Sequence, residues 1–328
     1  MTKVKITANL GEEDYEPQAF VDATVYAEKM GFSAAWFGDH IFPWYHSGKK
    51  SCFVWSTMAV ALERTESIKI GPLVTVPIGA RYHPAIIAQA AATLDNMYPG
   101  RIELWVGSGE ALNERPFWND RWPQWEERME RLVEGVRLMR MMWESSEPFK
   151  FEGKFFRSDF YFLYTRPKKR IPIYASAVGR RAAYAAGVIA DGLLTISPRN
   201  NIQRLEEVIF PAYLRGRSEV NKKGSGKVAI ELYFSFEKPE LFLKRAWRSL
   251  GILHKNSWSI PNPIEVEAEG RRVTVDDVRR NFHLCKSWKD LVNVIEAYRE
   301  IGANEVTLYT SCDKKMIRKV AENILNVF

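Results

Sequence analysis

The residues best suited to chemistry lie in the segment GDHIFPWYH, which contains Asp39, His40 and Trp44. An imidazole exchanges a proton near neutral pH, so His40 can act as a general base. The indole of Trp44 offers a ligand either a hydrogen-bond donor or an aromatic wall. The alternative is a loop histidine that Asp39 merely holds in place. His40 and His46 lack the i, i+4 helical spacing of a zinc-ligand pair, so the segment predicts no metal site.

A second candidate is Glu110 in the segment GSGEALNE, which follows a strand-like run. A carboxyl withdrawn from water at this point can hold a proton and serve as an acid. The alternative is a glutamate in the first turn of a helix, where it complements the helix dipole. Because His40 and Glu110 follow different strands, their spacing does not show whether they meet.

A third candidate is an anion site at the start of a predicted helix, where Arg180 and Arg181 follow Gly179. The backbone N–H groups at a helix N-terminus favour a phosphate, and the two arginines would add positive charge. The alternative is an ordinary exposed helix start.

The elements that carry these residues repeat in the order strand, helix. Runs such as SAAWFGDH, RIELWVGSG and DGLLTIS read as buried strands, and about eight such strands are separated by predicted helices. Short links between them predict a parallel sheet. Eight units favour an α/β fold of the closed (β/α)8 TIM-barrel type, and no GxGxxG motif follows the first strand to favour an open sheet. The C-terminal strand ends, where such barrels hold their active sites, carry Asp39, His40, Ser108, Glu110, Ser197 and Arg199.

Two segments interrupt this order. Residues 145–170 are aromatic and rich in turn residues, and they predict a β-hairpin insertion. Residues 249–281 predict a polar, helical insertion late in the chain. No internal repeat or low-complexity tract is visible, so residues 1–328 are predicted to form a single barrel domain with these two insertions.

The composition limits the classes of protein that remain. The chain has 328 residues, of which 46% are hydrophobic and 27% charged, as in soluble globular proteins. The net charge of +7 comes from 47 basic and 40 acidic residues that are interspersed along the sequence, so it does not predict nucleic-acid binding. The basic excess favours an anionic ligand.

The N-terminal sequence lacks the apolar region of a signal peptide, and no run of about eighteen apolar residues exists. We therefore expect a cytoplasmic protein with no membrane partner. The cysteines Cys52, Cys285 and Cys312 lie far apart and predict neither a zinc site nor a disulfide framework.

Five motifs in order resemble a known family over nearly the whole chain. They are DHIFPWYH, RYHPAIIAQAAATLDNMYPGR, GSGEALNE, RLMRMMWES and ADGLLT. Together they resemble the coenzyme F420-dependent branch of the luciferase-like superfamily, in particular its secondary alcohol dehydrogenases and glucose-6-phosphate dehydrogenases. The resemblance implies a TIM barrel, coenzyme F420 as the cofactor at the C-terminal face, and a homodimer.

The resemblance also assigns roles to individual positions. It matches His40 to the base for the substrate hydroxyl, Trp44 to the tryptophan near the reacting carbon, and Glu110 to the acid that protonates the reduced cofactor. It aligns Leu73 and Val74 with a non-prolyl cis peptide that bulges against the cofactor ring. The residues it implies for cofactor binding are Asp39, Leu73, Val74, Val76, Asn113, Val178, Gly179, Arg181 and Ala182.

The substrate side departs from the sugar-phosphate enzymes. Two lysines and an arginine hold the phosphate there, and Arg199, Ser257 and Asn281 align with those positions, so one cation of three remains. Ile196 is a further implied substrate contact. Lys255, Arg279 and Arg280 are close enough in sequence to substitute for the missing cations. The comparison favours a non-phosphorylated secondary alcohol or sugar, oxidised by hydride transfer to the deazaflavin.

Four other activities stay open at this point. The first is glucose-6-phosphate oxidation with a rebuilt phosphate site, and the second is reduction of methylene-tetrahydromethanopterin. The third is an FMN monooxygenase of the same superfamily, and the fourth is a flavin-binding protein without catalytic activity. The segments PWYH and GEALNE favour the two dehydrogenases over the methylene-tetrahydromethanopterin reductase.

Overall fold

The main sheet of the protein consists of eight parallel strands. The structure is a computed structural model that describes residues 3–11, 15–119, 121–199, 201–254 and 257–328. In chain order the barrel strands are Lys5–Asn9, Ala34–Phe37, Lys69–Pro72, Leu104–Val106, Ile173–Ser176, Gly192–Ser197, Lys227–Leu232 and Glu305–Tyr309.

The sheet is rolled into a nearly closed barrel. The third and fourth strands are the two ends of the hydrogen-bonded order. Parallel bridges from Ile70 to Ile102 and from Thr75 to Val106 join these two ends. This arrangement confirms the predicted α/β fold of the (β/α)8 barrel type.

The third strand is shorter than the strand-like run SIKIGPLVTV from which it is expected. It ends at Pro72, the peptide bond between Leu73 and Val74 is cis, and pairing resumes at Thr75. The cis bond lies at the position that the family resemblance implies. A Cβ atom on Gly107 of the neighbouring segment would lie 2.8 Å from Val74 Cγ2, so the close approach of the two segments requires glycine there.

Helices cover the outside of the barrel with their apolar faces inward. Pro17 and Pro84 each occupy the first position of a helix, where the missing N–H is not needed. Around the barrel the α-helices are Pro17–Lys29, Val54–Glu63, Pro84–Met97, Ala111–Glu114, Trp125–Glu144, Arg180–Ile189, Ile202–Arg204, Phe210–Glu219, Trp288–Glu300 and Lys314–Val320.

The end of the barrel opposite the predicted site is filled by a buried ion-pair cluster. Lys227 forms ion pairs with Glu103 and Glu305, at 2.7 Å from the latter, and lies over the Tyr174 ring at 4.4 Å. All three charged residues lie at or just before the first residue of a barrel strand. Residues at the N-terminal face of such barrels serve stability, and this cluster fits that role.

The two predicted insertions correspond to distinct structural elements. Strands Phe149–Glu152 and Arg157–Tyr161 pair antiparallel as the expected hairpin. The helical insertion begins before residue 249, because Pro239 already starts a helix. A short parallel pair, Phe234–Ser235 with His283–Leu284, joins the two ends of this lobe. Its α-helices are Pro239–Ala246, Pro263–Glu269 and Val275–Asn281. Among the described residues, no helix combines the length and apolarity needed to cross a membrane.

Candidate active site

His40 and Glu110 meet at the C-terminal face of the barrel. His40 follows the second strand and Glu110 follows the fourth, and His40 Nε2 lies 3.9 Å from Glu110 Oε1. Both side chains are largely buried, at 10% and 13% exposure. The closed barrel therefore brings together an imidazole and a carboxyl group whose meeting spacing alone could not show, although the third strand separates the two strands that carry them. A ligand that contacts both groups could exchange a proton with each.

The Asp39 side chain does not act as a simple holder of His40. Arg81 donates to Asp39 Oδ1 at 3.0 Å and to its carbonyl oxygen at 2.7 Å. The Tyr82 hydroxyl donates to Asp39 Oδ1 at 3.1 Å. The Asp39 carboxylate thus anchors the start of the loop to the segment after the third strand.

Aromatic rings continue from His40 toward the helical lobe. Trp44 packs edge-on against His40, with ring centroids 4.8 Å apart, and Trp258 of the lobe packs edge-on against Trp44 at 6.0 Å. The Arg199 guanidinium lies 5.8 Å from the Trp258 ring. Trp44 is therefore in place as an aromatic wall beside His40, and the lobe supplies the next ring of that wall.

Asn113 connects the loop that contains His40 to the turn that contains Glu110. Its side chain is fully buried, and Oδ1 accepts hydrogen bonds from the backbone N–H groups of Ile41 and Phe42 at 2.7 and 3.0 Å. Its Nδ2 donates to Glu110 Oε1 at 2.9 Å. The structure thus places the predicted cofactor residue between the loops, where it fixes both Glu110 and the backbone after His40.

Arg81 and Glu114 belong to the site although sequence reasoning gave them no role. Arg81 Nε donates to Glu114 Oε1 at 3.1 Å, and the same guanidinium binds Asp39. Glu114 is fully buried. One signal was available: Glu110 and Glu114 are four residues apart and so share a face of any helix. The partner Arg81 comes from another loop and has no sequence signal.

Burial raises the pKa of Glu114 to about 8. The Arg81 guanidinium opposes this rise, whereas the charges of Glu110 and Asp39 add to it. The same carboxylates raise the pKa of Arg81 against its desolvation, so it stays charged. The site therefore contains one buried cation among three carboxyl groups.

The predicted cofactor segment after the third strand lies beside these groups. Leu73 and Val74 are partly exposed at the cis peptide bond, and Val76 is buried. Asp39 Oδ2 is buried and has no hydrogen-bond partner among the described residues. An apolar bulge beside an unfilled acceptor fits a flat, polar-edged ring system such as a deazaflavin.

The predicted tail site is an open helix N-terminus. The helix Arg180–Ile189 begins after Gly179, has no acidic residue in its first turn and has no side-chain cap. A Cβ atom on Gly179 would meet nothing within 4 Å. Arg181 is exposed, pairs with Glu126 at 2.8 Å and lies over the Trp125 ring. Val178 and Ala182, on either side of this start, are partly buried.

A cavity of about 1600 Å³ opens beside Trp44, between the barrel and the helical lobe. Of the predicted substrate residues, Ile196, Arg199 and Asn281 line it. Ser257 does not line it: its side chain is buried in the lobe, and its hydroxyl donates to the Gly251 carbonyl at 2.6 Å. The structure therefore separates Ser257 from the other three.

Most arginines of the cavity wall are already paired. Arg245 binds Glu237, Arg279 binds Asp276 and Glu240, and Arg280 binds Asp277. Among the described lining residues, Arg199 is the arginine without an ion pair. Lys255, which the sequence offered as a substitute cation, lies outside the described residues.

Comparisons with known proteins agree with this fold. Residues 1–236 match the family model described as luciferase-like monooxygenase. The chain belongs to the luciferase-like monooxygenase family.

Relatives with similar sequences indicate the kind of enzyme within this family. The chain is 34% identical over 312 residues to an F420-dependent glucose-6-phosphate dehydrogenase of Rhodococcus erythropolis, covering 94% of this chain and 92% of that protein. It is also 34% identical to a protein of the same name from Nocardia farcinica, covering 90% and 89% of the two chains.

Among solved structures, the chain resembles an F420-dependent secondary alcohol dehydrogenase in complex with an F420–acetone adduct. The TM-score is 0.91, the identity is 33%, and 99% of each chain is covered. A coenzyme F420-dependent tetrahydromethanopterin reductase from Methanopyrus kandleri has a TM-score of 0.72 at 21% identity, with 99% of each chain covered. That second likeness bears on the fold alone.

Proposed function

We propose that this protein is a coenzyme F420-dependent dehydrogenase that oxidises the CH–OH group of a secondary alcohol or sugar. The observation that carries the proposal is the His40–Glu110 pair at 3.9 Å beside Trp44. Relatives and a structural neighbour at 33–34% identity use F420 in this kind of reaction. When bound, the deazaflavin supplies a carbon centre that accepts a hydride.

The residues of the site divide the proton transfers between them. His40 takes the proton of the substrate hydroxyl, because an imidazole is the group that accepts protons near neutral pH. Glu110 holds the proton that the reduced cofactor requires, and the Asn113 hydrogen bond keeps its carboxyl oriented. Trp44 covers His40 on the cavity side and limits its contact with water. Such proton transfers contribute about 10²–10⁴-fold to a rate.

Several residues would hold the cofactor. Leu73, Val74 and Val76 form the apolar bulge for its ring, and Asp39 offers the unfilled acceptor Oδ2. The segment Val178, Gly179, Arg181 and Ala182 would hold the phosphate-bearing tail, because the free N–H groups and dipole of a helix start attract anions.

The cavity wall favours an uncharged substrate. Arg245, Arg279 and Arg280 are neutralised by acidic neighbours, and Ser257 is turned into the lobe. Arg199 alone would give one charge-assisted contact, about 1.5–3 kcal/mol, in place of three. This loss argues for an alcohol or non-phosphorylated sugar.

A second candidate is glucose-6-phosphate oxidation. It is favoured by the named function of the relatives and by Arg199, which lies on the cavity wall. Under this alternative Arg199 would contact the phosphate.

Substrate kinetics with Arg199→Glu separate the two candidates. The proposal predicts turnover of isopropanol with F420 and a KM for it that stays within about twofold in the variant, because an uncharged substrate loses no ion pair. Turnover of glucose-6-phosphate with a KM that rises tenfold or more would instead support the phosphate site. A fluorescence titration with F420 and with FMN, on the same sample, checks the cofactor: preferential binding of FMN would contradict the proposal.

A cytoplasmic homodimer completes the proposal, on the strength of the family resemblance. Sedimentation equilibrium of the purified chain tests its oligomeric state.

A further inference from the structure

Three carboxyl groups surround one guanidinium beneath the proposed catalytic pair. Arg81 binds Asp39 at 3.0 Å and Glu114 at 3.1 Å, and the side chains of these three residues are 7%, 1% and 0% exposed. Glu110 begins the turn that ends at Glu114, and the Glu114 N–H donates to the Glu110 carbonyl at 3.2 Å. The charge of one carboxyl group is therefore felt by the other two.

The charged groups that face Glu114 come from four elements. Asp39 follows the second strand, Arg81 and Tyr82 follow the third, and Glu110 follows the fourth. Tyr82 acts through its hydrogen bond to Asp39. Arg128, from the helix Trp125–Glu144, lies at the edge of this group, where it donates to the Ser108 and Pro123 carbonyls at 3.2 and 2.7 Å and influences Glu110.

The charges of this cluster favour retention of a proton on one carboxyl group. Once Glu110 has donated its proton, three ionised carboxylates around Arg81 would leave excess negative charge among largely buried side chains, which His40 and Arg128 offset only from the side of Glu110. Like charges close together oppose ionisation, and an ionised carboxylate with an unpaired oxygen is costly to bury. One of the three carboxyl groups is therefore expected to remain neutral.

Glu114 is the carboxyl group that best accommodates the proton. It is fully buried, whereas Glu110 keeps 13% exposure. Its Oε2 is buried without a hydrogen-bond partner among the described residues, so a proton there relieves an unsatisfied charge. Asp39 Oδ1, by contrast, already accepts hydrogen bonds from both Arg81 and Tyr82. The raised pKa of Glu114 agrees with this assignment.

The packing ties Glu114 directly to the turn of Glu110. A Cβ atom on Gly109 would lie 2.9 Å from Glu114 Cγ and 3.0 Å from Val76 Cγ1. Glu114 therefore lies against the backbone that precedes Glu110 and beside the proposed cofactor segment.

We propose that Glu114 is a positioning residue that stays protonated at neutral pH and thereby sets the charge under which Glu110 exchanges its proton. The proposal rests on the proposed function in so far as Glu110 is the acid of that reaction. When Glu114 loses its proton, the added negative charge makes Glu110 hold its own proton more tightly. A cofactor that accepts a hydride would gain negative charge, and a neutral Glu114 would oppose that gain less than an ionised one.

Infrared titration of the full-length protein, with and without F420, tests the proposal. The carboxylic-acid C=O band should contain a component that disappears near pH 8 and that is missing in Glu114→Gln, whose side chain keeps an acceptor for Arg81. In wild type, the band assigned to Glu110 by difference against Glu110→Gln should change as Glu114 ionises, and this change should be absent in Glu114→Gln. Persistence of the pH 8 component in Glu114→Gln would overturn the proposal.

Two further variants keep the test decisive. If Glu114→Gln does not fold, Glu110→Gln tests the same coupling from the other residue. Removing the neighbouring charge should lower the pH at which Glu114 releases its proton by about one. An unmoved Glu114 midpoint would count against the coupling. Glu305→Gln, which removes a buried carboxyl at the other end of the barrel, should leave the Glu114 component near pH 8 in place.

The measurement distinguishes the failure of this proposal from failure of the proposed function. The titration without F420 reports on Glu114 whether or not the cofactor binds. A wild-type protein that lacks F420 affinity but shows the coupled titration would contradict the function alone. A protein that turns over alcohol but shows no protonated Glu114 would contradict the inference alone.

Discussion

His40 and Glu110 face each other across the barrel mouth, with Nε2 and Oε1 3.9 Å apart, although they belong to loops that follow different strands. Asn113 donates a hydrogen bond to the Glu110 carboxyl and accepts hydrogen bonds from the two backbone N–H groups just after His40. One amide side chain therefore fixes the relative position of the proposed base and acid. The proposed proton transfers depend on this relationship.

His40→Ala should leave F420 affinity within a few-fold of wild type and lower turnover by at least about a hundredfold, because it removes the base but no proposed cofactor contact. His46→Ala is the matched control, since His46 lies exposed in the same loop. Stopped-flow turnover and a fluorescence titration of F420 measure the two effects. Near-wild-type turnover in His40→Ala would remove this residue from the mechanism.

Gly109→Ala should lower turnover because it displaces the turn that carries Glu110. Gly109 has a φ of +76°, and its added Cβ would lie 2.9 Å from Glu114 Cγ. Gly224→Ala is the control, because Gly224 has a φ of +65° and its Cβ would meet nothing within 4 Å. Both variants carry the left-handed backbone cost of about 1–2 kcal/mol. Equal turnover in the two variants would show that the contact with Glu114 does not matter.

Arg81→Met should destabilise the protein by about 3–5 kcal/mol, because it leaves the buried Asp39 carboxylate without its cation and Glu114 without its hydrogen-bond donor. Arg181→Met is the control: it removes an exposed pair with Glu126, for which we expect a much smaller loss of stability. Urea unfolding followed by far-UV circular dichroism measures both values. A loss in Arg81→Met no larger than in the control would mean that the pairs with Asp39 and Glu114 contribute little to stability.

The free energy of unfolding should depend on pH through the ionisation of Glu114. Its pKa rises from 4.5 to about 8 in the folded protein, so folding favours the protonated form. This contribution is complete below about pH 4.5 and is lost as the pH rises through about 8. The free energy of unfolding should therefore fall more steeply with pH in wild type than in Glu114→Gln across this window. Parallel slopes in urea-unfolding series would contradict the raised pKa.

The sequence predicted the barrel because its strand and helix signals repeat locally. Runs such as DGLLTIS and the helix starts at Pro17 and Pro84 depend on neighbouring residues alone. The placement of His40 and Glu110 at strand ends followed from the same pattern. Their meeting did not, since it depends on the closure of the circle between the third and fourth strands.

The parts of the site that sequence could not supply depend on contacts between loops. Arg81 joins Asp39 to Glu114 across three loops, and no spacing encodes such a link. Ser257 was aligned with a substrate-binding position, but its hydroxyl binds the Gly251 carbonyl inside the lobe. The direction of a side chain within an irregular lobe depends on tertiary packing, which alignment of residue types does not describe.

The most direct test of the central claim is an anaerobic assay that follows the absorbance of oxidised F420 after addition of isopropanol to the purified protein. The account predicts bleaching of the deazaflavin band by wild type and a rate at least about a hundredfold lower in His40→Ala. It also predicts no comparable bleaching with glucose-6-phosphate. Bleaching with the phosphosugar alone would contradict the proposed substrate class. Failure of the protein to bind F420 would contradict the account as a whole.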